Sequence, residues 1–352
     1  MGTRAAIIGD GAMGTLSAIL LGSNGRRVRM WSAFEEHARD IRRDRENKRF
    51  LPGFRLPDGF AVSTDAREVC EGADLVVIAV PTKHLRSMLE RVRDALPADA
   101  LYVSVVKGIE RETLLRPSQV VEAVTGPKFT RRGGRLAVLS GPCLSHEVAA
   151  GLPATVVVAS RDPKDAEAAR NAFATPHFRI YTNDDLVGVE LGGALKNITA
   201  IAAGICDGLE LGSNAKAALV TRGLVEMTRL GAALGARAET FAGLAGLGDL
   251  VTTCASSLSR NHHVGEEIGR GRRLEEVLAE MGRVEPEGVE TTRSVVALAA
   301  KHGVEMPITQ EVYAVLFEGK PAPDALADLM SRQPKAEGPA APATAKPAPS
   351  ET

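Results

Sequence analysis

The first half of the chain alternates runs of β-branched and aliphatic residues with stretches of helical composition. "RAAIIG" (4–9), "RVRMW" (27–31), "ADLVVIAVP" (73–81), "ALYVSVVKG" (100–108), "RLAVLSGP" (135–142), "ATVVVAS" (154–160) and "FRIYTN" (178–183) read as strands. Several are continuously apolar, the pattern of a sheet covered on both faces. Residues 12–24, 83–95 and 163–174 read as helices between them. This repetition predicts an α/β domain with a doubly wound sheet. From about residue 185 the β-rich runs stop, and 186–205, 214–235, 262–281, 288–302, 309–317 and 322–331 read as helices. The pattern therefore divides the chain into an α/β domain over 1–184 and an all-helical C-terminal domain over 185–333. A Pro/Ala-rich tail over 334–352 carries no large apolar residue and is expected to be disordered.

Composition narrows the class. At 352 residues and 44% hydrophobic, the chain can build a core for each of two domains. A net charge of −1 gives no sequence-wide basic bias, so no nucleic-acid partner is expected. No stretch approaches 18 uninterrupted apolar residues, so no membrane span is expected either. The first strand and a glycine motif at Gly9 leave no room for a signal peptide. Cys70, Cys143, Cys206 and Cys254 are scattered without CxxC pairing, which favours reduced thiols and a cytoplasmic protein.

Immediately after the first strand, "AAIIGDGAMG" supplies G-x-G-x-x-G at Gly9, Gly11 and Gly14. Gly9 permits a tight turn, Gly11 lets the backbone approach a pyrophosphate, and Gly14 allows close helix–strand packing. The following helix start offers free N–H groups to phosphates. In this context the motif predicts a Rossmann-type dinucleotide site. The end of the second strand reads "MWSAFEE": Ser32 and Ala33 supply neither an acid for a ribose 2′-OH nor an Arg for a 2′-phosphate. The choice between NAD and NADP is left open.

Polar residues in apolar company mark the candidate chemistry. Lys196 and Asn197 interrupt "LGGALKNITAIAAG", where an ammonium costs several kcal/mol unless it is paired or neutral. It either faces water or lines a site. Lys107 ends "SVVKGIE" at the carboxyl edge of the sheet, as a solvated residue or a ligand-facing one. "LSGPCLSHEVAAG" carries Gly141, Cys143, Ser145 and His146, with a Ser-capped turn as the alternative. Asp249 in "AGLAGLGDLVTTC" is either a helix cap or the partner of Lys196. Ser259, Arg260 and Asn261 precede a helix, a suitable phosphate receptor. His262 and His263 lack metal spacing and read as a solvated helix face; no metal is expected.

Together these stretches resemble the bacterial NAD(P)-dependent sn-glycerol-3-phosphate dehydrogenase family, from residue 4 to about 332. The resemblance rests on "IGDGAMGT", "VVKGIE", "LSGPCLSHEVAAGLP", "GVELGGALKNITAIAAGICDGLELGSNAKAALVTRGLVEMTRLGAALGA", "GLGDLVTTC", "SRNHHVG", "PEGVETT" and "HGVEMPIT". It implies a Rossmann domain, a helical substrate domain and catalysis between them. The implied reaction is reversible hydride transfer between NAD or NADP and C2 of dihydroxyacetone phosphate, giving sn-glycerol 3-phosphate for glycerophospholipid synthesis. By the same resemblance Lys196 is the proton donor and acceptor. Lys107, Gly141, Cys143, Asn197, Asp249, Thr253, Ser259, Arg260 and Asn261 are implied to contact the phosphate substrate. Gly9, Gly11, Ala12, Met13, Gly14, Lys107, Ser145, Arg260, Glu285 and Glu287 are implied to contact the dinucleotide. Relatives also imply a homodimer.

The chain departs from the family's pattern at several points. Ala12 and Met13 replace a Ser and an aromatic residue in the glycine loop, and Ala33 replaces a basic residue. Cys143 stands for a Ser or Thr, and Ser145 for an Ala. One rival reading is a two-domain β-hydroxy-acid dehydrogenase, which would also use a helix lysine followed by asparagine. "SRN" with "GLGDLVTTC" speaks against it. A dinucleotide sensor without chemistry is the other rival, opposed by the complete set of roles.

Overall fold

The computed structural model describes residues 3–131, 134–282, 286–334 and 337. The tail expected to be disordered lies, apart from 334 and 337, outside the described residues, as does Glu285. Among the described residues ten strands form: β1 (Arg4–Ile8), β2 (Arg27–Trp31), β3 (Glu46–Asn47), β4 (Leu51–Arg55), β5 (Ala61–Ser63), β6 (Leu75–Ile78), β7 (Leu101–Ser104), β8 (Leu136–Ser140), β9 (Ala154–Ser160) and β10 (Phe178–Asn183). β3 and β4 make a separate antiparallel pair. The others form one sheet in the order β10-β9-β8-β7-β6-β1-β2-β5.

Continuous apolar runs become strands here because both faces are buried. Along β1, Ala5 and Ile7 join the core that contains Leu16, Leu20 and Leu21 of the Ala12–Ser23 helix. Ala6 and Ile8 point the other way, into a core with Leu85, Leu89 and Val92 of the Thr82–Val92 helix. β6 and β7 divide their side chains in the same manner. Each buried Val, Leu or Ile side chain among them contributes about 1.5–3 kcal/mol relative to exposure. β6 and β2 flank β1 on opposite sides, which opens a crevice at the carboxyl ends of β1 and β6, where ligands of such sheets bind.

The strands are shorter than the apolar runs that announce them. The run at 73–81 pairs only over Leu75–Ile78, and the run at 100–108 only over Leu101–Ser104. Just past the paired residues, the Ala79 N–H still donates to the Ile8 carbonyl at 2.9 Å and the Val105 N–H to the Ile78 carbonyl at 3.0 Å. β9 runs antiparallel to β8, so the sheet is not parallel throughout. β5 pairs with β2 alone and is too short for its pattern to stand out. The span 262–281 is two helices, Arg260–Gly269 and Leu274–Met281, parted at Gly271, whose φ of 90° no helix continues. Pro117–Arg131, where no helix is predicted from the sequence, holds two helical segments parted at Gly126, whose φ is 67°.

From Leu186 the described chain is helical, and the Leu186–Gly208 helix is its axis, packed against Gly212–Ala233, Asp249–Ala255, Arg260–Gly269 and Glu287–Lys301. It is long and apolar enough to cross a bilayer, yet 94% of its apolar window is buried by these neighbours. Its contact with Arg260–Gly269 is backbone on backbone. A Cβ on Gly204 would lie 2.0 Å from the His262 carbonyl oxygen, and one on Gly265 would lie 1.9 Å from that of Ile201. Only hydrogen fits at either position. The close crossing fixes the start of Arg260–Gly269 beside Lys196 and Asn197.

Candidate active site

Lys196 lies midway along Leu186–Gly208 and is 6% exposed. Its Nζ donates to Asp249 Oδ1 at 2.5 Å and to Thr253 Oγ1 at 2.6 Å. The Thr253 hydroxyl gives its own proton to the Asp249 carbonyl at 2.6 Å, so its oxygen faces the lysine only as an acceptor. An ammonium has three N–H bonds. Lys196 therefore keeps one that no described residue accepts. Asp249 is not the N-cap of its helix; that place belongs to Gly248, and the Asp249 carboxylate turns inward from the first residue of Asp249–Ala255.

Lys107 reaches the same carboxylate from the other half of the chain. It follows β7, and its Nζ donates to Asp249 Oδ2 at 2.6 Å and to the Gly141 carbonyl at 3.1 Å. A third contact goes to Cys143 Sγ at 3.7 Å. Lys107 thus spends all three donors on protein. Gly141 follows β8 with a φ of 123°, a conformation glycine adopts without strain, and this aims its carbonyl into the site.

One carboxylate between a buried ammonium, Lys196, and a half-buried one, Lys107, sets them apart electrically. Desolvation pulls the Lys196 ammonium below the ordinary lysine value; Asp249 opposes this, and the charge of Lys107 adds to it. At Lys107 desolvation also acts downward, but the Asp249 carboxylate outweighs it and holds the ammonium above its ordinary value. Paired groups pushed in opposite directions divide into one that exchanges protons and one that stays charged.

Asn197, next on the helix, faces the other wall. Its Oδ1 accepts from Asn261 Nδ2 at 3.0 Å, and Asn261 Oδ1 accepts from the Gly288 N–H at 2.9 Å. The Asn261 amide oxygen and one of its two amide N–H bonds are thus taken by protein, and the second N–H has no acceptor among the described residues. Its helix end adds backbone N–H from the first turn. Ser259 caps that helix, accepting from the His262 N–H at 3.2 Å. Arg260, its first residue, is exposed and makes no hydrogen bond or ion pair among the described residues. Glu287 opens Glu287–Lys301 nearby. Desolvation pushes its carboxyl up to about 7, against the pull of Arg260, Lys107 and Lys196.

His262 is corrected by the structure. It is buried at 8% exposure, and its Nε2 contacts Asp207 Oδ2 at 2.7 Å, an oxygen that also accepts from Lys216 Nζ at 2.5 Å. It is no solvated face; it ties the start of Arg260–Gly269 to the end of Leu186–Gly208. Helical spacing is the signal that could have shown this, because Gly265 and Ile268 follow it on the same buried side.

The glycine loop fits a dinucleotide. A Cβ on Gly9 would lie 2.6 Å from the Ala79 carbonyl oxygen, and one on Gly14 would lie 2.2 Å from that of Gly9. Gly11, which precedes Ala12 at the helix start, has open space where its Cβ would be. Two glycines thus close-pack the turn while the middle one leaves its surface clear for a pyrophosphate. Met13, on the first helical turn, packs partly against the sheet core. Ser145 opens the short Ser145–Ala149 helix but does not cap it. The corner at the end of β2 does hold an acid: Ser32 Oγ donates at 2.6 Å to Asp10 Oδ2, a carboxylate supplied by the glycine loop itself.

The chain matches both halves of one family. The sequence model described as NAD-dependent glycerol-3-phosphate dehydrogenase N-terminus matches residues 4–166, and the corresponding C-terminus matches 185–327. Glycerol-3-phosphate dehydrogenase [NAD(P)+] of Koribacter versatilis is 49% identical over 331 residues, covering 94% of this chain and 97% of that protein. The enzyme of Geobacter metallireducens is 48% identical over 337 residues, covering 96% and 99%. The crystal structure of glycerol-3-phosphate dehydrogenase from Coxiella burnetii superposes with a TM-score of 0.88 at 38% identity, covering 94% and 99%. A ketopantoate reductase from Ralstonia eutropha, at 17% identity and a TM-score of 0.59, shares the fold alone. This chain belongs to the NAD(P)-dependent glycerol-3-phosphate dehydrogenase family.

Proposed function

We propose that the chain reduces dihydroxyacetone phosphate at C2 to sn-glycerol 3-phosphate, and runs the reverse reaction, in the cleft between a dinucleotide-binding half (1–184) and a substrate half (185–333). The observation that carries this reading is the one uncommitted N–H of Lys196. The bound nicotinamide supplies or accepts the hydride. Lys196 holds the proton: during reduction its free N–H stabilises charge on the C2 oxygen and then transfers to it, and in reverse the neutral amine removes the hydroxyl proton. Asp249 and Thr253 fix the amine so that this bond points into the cleft. Lys107, its donors spent, keeps positive charge at the site without competing for the proton.

Arg260, Asn261 and the first-turn N–H groups behind Ser259 take the substrate phosphate, and that binding energy positions C2. Asn197 and Cys143 line the wall between. Gly9, Gly11, Ala12, Met13 and Gly14 cradle the dinucleotide phosphates, with Ser145, Glu287 and Lys107 along its length. The reading includes Glu285 as a further cofactor neighbour and a homodimer as the working unit, both on the resemblance alone. It includes a cytoplasmic setting, supported by four buried, unpaired cysteines. In such a setting the product feeds glycerophospholipid synthesis. The test is spectrophotometric: purified protein with dihydroxyacetone phosphate should oxidise NADH or NADPH, and dihydroxyacetone without its phosphate should be a far poorer substrate. Dinucleotide binding without turnover would refute the assignment.

A further inference from the structure

We infer that Asp10 sets the cofactor preference of this chain, favouring NAD over NADP. The inference rests on the reading that a dinucleotide lies across the glycine loop. In Rossmann-type sites an acid at the end of the second strand accepts from the adenosine ribose 2′-OH, and its negative charge excludes a 2′-phosphate. Here the strand-end residue is Ser32, whose hydroxyl is turned away from that duty: it donates to Asp10 Oδ2 at 2.6 Å. The carboxylate thereby occupies the corner that the strand leaves vacant. Asn47 Nδ2 holds the Asp10 carbonyl at 2.7 Å, so the residue is fixed by both backbone and side chain. Asp10 is 15% exposed, and its Oδ1 accepts no hydrogen bond from any described residue. That oxygen is available to a ribose hydroxyl.

The basic side chains at this corner approach the Oδ2 side of the carboxylate and leave Oδ1 open. His37 Nδ1 lies 3.4 Å from Asp10 Oδ2, is buried, and forms no hydrogen bond. Arg49 contacts the opposite ring nitrogen of His37 and stacks over Phe50 at 5.3 Å. The guanidinium is thus on the far side of the imidazole from the carboxylate. A 2′-phosphate at this corner would meet Asp10 first, with two like charges in partly desolvated surroundings. Phe34, 61% exposed and 5.1 Å from the His37 ring, offers an aromatic face for adenine at the same corner.

The test is direct binding. NADH, NADPH, ADP and adenosine 2′,5′-bisphosphate are titrated into the wild type, Asp10→Asn and Asp10→Ala by calorimetry. The fluorescence of Trp31, the chain's single tryptophan and the neighbour of Ser32, provides a second signal. The wild type should bind NADH and ADP at least about tenfold more tightly than their 2′-phosphorylated counterparts. Asp10→Asn should collapse that ratio by strengthening the 2′-phosphorylated pair, and Asp10→Ala should also weaken NADH. Equal or tighter binding of the 2′-phosphorylated ligands by the wild type overturns the inference whether or not the variants fold. So does a ratio unmoved in folded variants. If dihydroxyacetone phosphate is reduced without NADH preference, only this inference fails; if neither dinucleotide binds, the assigned function fails with it.

Discussion

Lys107 and Lys196 hold opposite oxygens of one carboxylate, Lys107 on Asp249 Oδ2 at 2.6 Å and Lys196 on Oδ1 at 2.5 Å. They arrive from different halves of the fold, one from the edge of the sheet and one from the central helix. Asp249 is therefore both the electrostatic partner that lets two ammonium groups sit in a buried site and a clamp between the halves.

Asp249→Asn keeps the shape and removes the charge. Leaving a buried charge unpaired costs about 3–5 kcal/mol, and here two lysines lose their partner. Both lysine values then fall below those of the unfolded chain, where more protons are bound. The destabilisation should be largest at low pH, where the ammonium groups are forced to stay charged, and should shrink as pH rises through their lowered values. Denaturant unfolding of both proteins, followed from about pH 6 to about pH 9, measures it.

Arg260→Ala should raise KM for dihydroxyacetone phosphate about tenfold to a hundredfold, the worth of a charge-assisted hydrogen bond to a dianion. Turnover of the unphosphorylated ketone should hardly change. Initial-rate kinetics with both substrates separates the two effects.

Glu287, with its carboxyl raised to about 7, should make dinucleotide binding pH-dependent. The neutral form repels an anionic cofactor less, so affinity should rise as pH falls through that value. Glu287→Gln should remove the dependence, with the tight-binding limit retained at all pH. Calorimetric titration of NADH across that interval shows it.

Gly265→Ala should separate two helices rather than enlarge a surface. The added Cβ would lie 1.9 Å from the Ile201 carbonyl oxygen, against backbone that cannot rotate aside. A loss of about 1–3 kcal/mol is expected from such overpacking. Because the same crossing sets Arg260 relative to Lys196, kcat should fall as well. Thermal unfolding and steady-state rates on one preparation test both.

Several of these relationships are legible in the sequence and others are not, for physical reasons. A charge in an apolar helix marks itself, so Lys196 stands out, and Asp249 is its natural partner. Lys107 is ambiguous because its partner lies 142 residues away, and nothing at a strand end distinguishes a solvated lysine from an ion-paired one. The acid at the β2 corner is hidden because it comes from the glycine loop and reaches over to Ser32, whereas sequence spacing points only to the strand end. His262 reads as solvent-facing because adjacent polar residues conceal which of them turns inward. The alternating cores of β1, β6 and β7 are readable from their apolar runs; the antiparallel entry of β9 is not, since a buried strand has the same composition in either direction.

The central claim is that the free N–H of Lys196 carries the proton. Its most direct measurement is turnover of Lys196→Ala with NADH and dihydroxyacetone phosphate, with and without added ethylamine, on protein whose fold and dinucleotide affinity match the wild type. Loss of general acid–base catalysis predicts a fall in kcat of about 10²–10⁴, partly restored by the amine. Near-wild-type turnover by Lys196→Ala would contradict the account.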